Sequence, residues 1–150
     1  MTQYINQTTT LYNSGARNFL FLGVPPIQYT PSVQASGTYS IDGEATAIDQ
    51  YNAALSSKVA AFAAANSGAK TWILSTTTPF MTAIDNPTAY GAANATCFDA
   101  SGTACLWWND VSISRRSSLV LSNADSMQYH PGQAIHKLVA QAMAALLGNW

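Results

Sequence analysis

Two short apolar runs set the architecture open to this 150-residue chain. Asn18-Phe19-Leu20-Phe21-Leu22-Gly23-Val24 stops at Pro25-Pro26, and Lys70-Thr71-Trp72-Ile73-Leu74-Ser75-Thr76 follows Asn66-Ser67-Gly68. The first is a continuous apolar run, as expected for a parallel strand covered on both faces, and the second, centred on Trp72-Ile73-Leu74, reads as a second buried strand. The prolines end the first run because they lack the amide hydrogen that a ladder needs. Between the runs, Tyr51, Leu55, Val59 and Phe62 recur at helical spacing, with alanines filling the close-packed positions. A helix of that length lets the second strand return parallel to the first through a right-handed crossover.

The remaining elements fit the same α/β order. Tyr4, Ile5, Thr8, Leu11 and Tyr12 predict a first helix, and Gly15 can take the left-handed conformation that ends one. Thr78-Pro79 opens a short helix through Ile84. After an irregular segment, a last helix over about 133–147 carries Ile135, Leu138, Val139, Ala142 and Leu146 on one stripe. There is no internal repeat and no second domain, so residues 1–150 form one unit.

Composition removes several classes of function. Charged residues make up 9% and the formal net charge is −1, so no basic face exists to neutralise a phosphate backbone, and nucleic acid is not an expected partner. Nor is any apolar run long enough for a transmembrane helix. Cys97 and Cys105 enclose a loop of glycine and small polar residues that can bring the two sulfurs together, which predicts a disulfide. No second ligand pair accompanies them, so a metal site is not expected. The sequons Asn6-Gln7-Thr8 and Asn94-Ala95-Thr96, with the cysteines, favour a secreted protein. No signal peptide follows Met1, so one is expected upstream.

The chemistry gathers in a broken motif. Trp107-Trp108-Asn109-Asp110 stops, eighteen residues intervene, and Tyr129-His130-Pro131-Gly132 then opens the last helix. An acid and an imidazole are two parts of a serine-hydrolase charge chain: His130 is the candidate general base and Asp110 the carboxylate that orients it. Asp99 and Asp85 are weaker candidates for the acid, and His136 reads as a structural residue of the helix. Trp107 and Trp108 can serve either as an aromatic platform for a sugar ring or as wall and core. No cofactor is needed by this chemistry.

With these elements in place, the chain resembles the fungal secreted branch of the SGNH, or GDSL, esterases, which includes acetylesterases acting on carbohydrate esters. The resemblance rests on the block from Tyr12 to Pro26, on Tyr51-Asn52 opening the middle helix, and on Trp108-Asn109-Asp110 joined to Tyr129-His130-Pro131. It implies a flavodoxin-like three-layer α/β/α sandwich, of which this chain would hold the carboxyl-terminal part with the last two parallel strands. The activity it implies is hydrolysis of carboxylic esters through Ser, His and Asp, on a small ester or acetylated carbohydrate. The family's Gly-Asp-Ser block with the nucleophile, and its Gly and Asn oxyanion blocks, are absent from these residues, as is a Gly-x-Ser-x-Gly elbow. The expectation is therefore a fragment or truncated gene product, inactive alone.

The segment 111–128 departs from its surroundings, with six serines and Arg115-Arg116 in a chain otherwise poor in charge. Its eighteen codons match a short fungal intron in length, and Val111-Ser112 and Met127-Gln128 are compatible with splice signals, so a retained intron is expected over a surface loop. Without it, Asp110 falls two residues before His130. The family form places Asp three residues before His, where Asn109 would stand, so the resemblance leaves Asn109 and Asp110 as alternatives; Asp110 is preferred because only a carboxylate stabilises the protonated imidazole. A reading from another class is a secreted carbohydrate-binding module presenting Trp107 and Trp108.

Overall fold

The structure, a computed structural model, describes residues 1–99, 103–108 and 130–148. Its first half is a β-α-β unit. Helix α1 (Thr2–Asn13) leads into strand β1 (Asn18–Leu22); a 3-10 turn (Ile27–Tyr29) and the short helix α2 (Pro31–Ala35) connect to the long helix α3 (Thr38–Ala65), and strand β2 (Lys70–Leu74) returns beside β1. The strands pair in parallel, Asn18 with Lys70 through Leu22 with Leu74, as the two apolar runs predict. Helix α4 (Thr77–Ile84) and a 3-10 turn (Pro87–Tyr90) follow. A second small sheet joins β3 (Phe98–Asp99), β4 (Trp107–Trp108) and β5 (His130–Pro131), and α5 (Gln133–Leu147) ends the described chain.

Local chemistry explains the boundaries. After α1, Gly15 takes φ +108°, Gly15 N donates to Tyr12 O at 3.0 Å and Ala16 N to Leu11 O at 3.0 Å, the paired bonds of a Schellman cap. Arg17 Nη1 then donates to Tyr12 O at 2.7 Å while its guanidinium lies 4.3 Å from the centre of the Tyr12 ring, fixing the turn into β1. Thr30 caps α2 by accepting from Val33 N, with Pro31 at the first helical position.

The middle helix corrects the sequence expectation. Tyr51-Asn52 does not open it: α3 begins at Thr38 and runs for 28 residues. Ile48 is the one core residue of its first part, so the segment lacks the repeated apolar positions that would reveal it.

Helices pack on both faces of the parallel sheet, but they cover it less fully than the apolar runs predict: in β2 only Leu74 is buried, and Ile73 is 36% exposed. Alternation puts Phe19 and Phe21 on one face, where they form a core with Leu55, Val59 and Phe62 beneath α1 and α3. Phe19 and Phe62 meet edge to face, ring centres 5.3 Å apart, as do Tyr4 and Phe21 at 5.9 Å. The opposite face carries Leu74, and α5 packs on β2 and α4. A second core lies there: Phe80, Ala83, Ile84, Ala92, Leu106, Trp107 and Ile135. Leu22, at the end of the pairing, remains 41% exposed. Among the described residues no helix is long and apolar enough to cross a membrane.

Candidate active site

Parallel strands align their carbonyl ends, and the chain leaves both strands there through loops that are free to carry chemistry. Here those exits are tied together. Gly23 N donates to Leu74 O at 2.9 Å, and the buried Thr76 donates through Oγ1 to Gly23 O at 2.9 Å. Asn52, on α3, accepts from Val24 N through Oδ1 at 2.8 Å and donates through Nδ2 to Val24 O at 3.0 Å. One side-chain amide thus satisfies both polar groups of a residue that has left the ladder. A cavity of about 280 Å³ opens beside it, lined by Gly23, Asn52, Leu55, Ser56, Leu74 and Ser75. Sequence reasoning used Asn52 only as part of a resemblance. Its available signal was a polar residue one turn before the core residue Leu55, on the same side of the helix.

The second sheet brings the two halves of the broken motif together. In it β4 and β5 are antiparallel, with Trp108 opposite His130 and Trp107 opposite Pro131. Gly132 N continues the ladder by donating to Leu106 O at 2.6 Å, and Gly132 also stands at the N-cap of α5. His130 is therefore held from two sides, by a strand partner and by the helix that begins three residues later. Its residue is half-buried. Asp110 and Asn109 lie outside the described residues, as do Tyr129 and the whole of 111–128.

Other candidates have visible roles. Trp107 is 0% exposed, and its Nε1 donates to Ala95 O at 2.6 Å. Of the two readings of this ring, its burial favours wall and core, with the Phe80 ring 6.3 Å away. Trp108 occupies β4 opposite His130, and its strand position is all that is described. Cys97 and Cys105 are joined, with Cα atoms 5.1 Å apart. Asp99 accepts from Ala104 N through Oδ2 at 3.2 Å, so one carboxylate oxygen serves the disulfide loop. Asp85 is exposed at the end of α4, and His136 is exposed on α5. Among the described residues no group of three His, Cys, Asp or Glu side chains could hold a metal ion.

The chain is similar to an acetylesterase. It is 44% identical to the acetylesterase of Thermothelomyces thermophilus over 145 residues, which is 96% of this chain. A match of that extent takes in both Trp107 and His130. The chain spans 42% of that relative's length, so more than half of the acetylesterase lies outside the match. No family model matches the chain.

Proposed function

We propose that this chain is the carboxyl-terminal part of an SGNH-type, secreted carboxylic ester hydrolase acting on acetyl esters, with carbohydrate acetates as the substrate class. His130 is its general base and Asp110 the carboxylate behind it. The nucleophilic serine and the oxyanion donors belong to sequence outside these residues. The two parallel strands are then the last two of a larger flavodoxin-like sheet.

The chemistry follows the acyl-enzyme route. The serine hydroxyl attacks the acetyl carbonyl while His130 accepts its proton; the imidazolium returns that proton to the departing alcohol. Water, deprotonated by the same imidazole, then releases acetate. The carboxylate fixes the tautomer and stabilises the imidazolium without itself accepting the proton. Each missing oxyanion donor withholds about 3–4 kcal/mol of transition-state stabilisation, so the chain alone is inactive.

The observation that carries this reading is the pairing of Trp108 with His130. Trp108 stands opposite His130 although twenty-one residues separate them in sequence, and Asp110 follows Trp108 by two positions in the chain. The similarity to an acetylesterase supports the reaction class.

The test is a chimera in which this chain replaces the matched stretch of the Thermothelomyces acetylesterase, assayed on p-nitrophenyl acetate. The expected result is saturable turnover in the chimera, reduced by about 10³-fold or more in His130→Ala and Asp110→Ala, and none from the isolated chain. Turnover by the isolated chain that His130→Ala abolishes would refute the division of labour. A folded, active chimera indifferent to His130→Ala would refute the assignment of the base.

A further inference from the structure

We propose that Asn94, and not Asn6, is the N-glycosylation site of this chain, with an oligosaccharide carried on a lipid pyrophosphate as the donor. The transfer joins Asn94 Nδ2 to the anomeric carbon of the first sugar. The bond from that carbon to the pyrophosphate oxygen breaks, the lipid pyrophosphate leaves, and the amide gives up one proton to a base of the transferase.

The two sequons occupy opposite structural settings. A transferase must engage the asparagine amide and the hydroxyl two residues later together. At Asn94 they are already together: Asn94 Oδ1 accepts from Thr96 N at 3.0 Å and from Thr96 Oγ1 at 3.1 Å. Both bonds go to the oxygen, which leaves Nδ2, the atom that takes the sugar, outside the turn. Asn94 and Thr96 are both exposed. Between them, the Ala95 carbonyl is fastened inward by Trp107 Nε1, so the asparagine side of the turn faces away from the core.

At Asn6 the pair is separated. Asn6 and Thr8 lie in the middle of α1, where positions two apart project about 200° from one another around the axis. Thr8 is 6% exposed and its Oγ1 donates to Tyr4 O at 3.0 Å, while Asn6 O accepts from Thr10 Oγ1 at 3.0 Å. Bringing the Thr8 hydroxyl to the Asn6 amide requires melting a helix whose Tyr4 packs on Phe21. The inference rests on the secreted reading proposed above, under which the disulfide three residues after Asn94 forms in the same oxidising route that supplies the glycan donor.

The test expresses the full chain behind a secretion leader in a yeast host and reads the total translocated pool, folded or not, by leader removal, endoglycosidase shift and peptide mass. Wild type is expected to carry one glycan, on the peptide containing Asn94. Asn94→Gln and Thr96→Ala should lower the glycosylated fraction at least tenfold, Thr96→Ser should retain it, and Asn6→Gln should leave it within twofold. An unmodified Asn94 peptide in leader-processed wild type, or equal occupancy at Asn6, would overturn the assignment.

Discussion

Asn52 holds Val24 by both backbone polar atoms, across 28 residues of sequence, and so locks α3 to the exit of β1. Asn52→Ala strands a part-buried N–H and C=O together. The expected loss is about 1–3 kcal/mol, measured by urea unfolding. Asn52→Asp should also destabilise, because it keeps the acceptor for Val24 N but sets a carboxylate oxygen against Val24 O. Gly23→Ala should act through the same contact, since a Cβ there would stand 3.1 Å from Asn52 Oδ1.

Trp107 separates core from substrate contact. Trp107→Ala should cost about 3–5 kcal/mol by opening a cavity among Phe80, Leu106 and Ile135. Trp107→Phe keeps much of the ring but removes the donor to Ala95 O, and should cost about 1–3 kcal/mol. A Trp107→Ala chain that melts like wild type would show that the ring does not carry this core.

The disulfide closes a short loop, with a sequence separation of 8. Replacing both cysteines by serine should lower stability by about 2–3 kcal/mol on loop-entropy grounds. The loss should appear first at β3 and β4, where Trp107 N donates to Cys97 O. Equal chemical-denaturation midpoints with and without reductant would contradict this.

Deleting 111–128 tests whether that segment is foreign to the fold. The deletion leaves Asn109, Asp110 and Tyr129 between the paired Trp108 and His130, a three-residue hairpin connection. Shortening the closed loop from twenty-one residues to three is nearly three doublings, and should stabilise β4–β5 pairing by about 1.5–2 kcal/mol. A lower melting temperature in the deleted chain would show that the segment belongs to the fold. Sequencing spliced transcripts gives the genetic counterpart: its eighteen codons are expected to be absent from a mature population.

Tyr4 should titrate above the ordinary tyrosine pKa of about 10. Burial raises it first, and a negative Tyr51 beside it raises it further. The neutral phenol is thus the form that the fold favours, so its contribution to stability is complete below the unfolded value and is lost as pH rises through the folded one. In an absorbance titration of tyrosinate Tyr4 should ionise late, and earlier in Tyr51→Phe. An unmoved titration in that variant would exclude the Tyr51 contribution.

Elements with dense periodic patterning were legible. The β1 and β2 runs, their parallel pairing, and α5 at Gln133–Leu147 all follow from apolar spacing and flanking residues. The start of α3 at Thr38 was not, because its first three turns contribute almost nothing to the core. Two-residue strands such as β4 carry no periodic signal at all; their pairing is set by partners far along the chain. For the same reason the sequence could offer Trp107 and Trp108 as equals. Only the fold shows that Trp107 is buried.

The two cores share no residue: one draws on positions 1–69, the other on 80–139. Their separation means that amide hydrogen exchange should divide the protein into two cooperative units, with β1, β2 and α3 in one and β4, β5 and α5 in the other. The segment around His130 can then open without unzipping the parallel strands. Exchange of the amides beside His130 ahead of those in β1 and β2 would be the sign of that division, and the packing of α5 on β2 sets how far it can go.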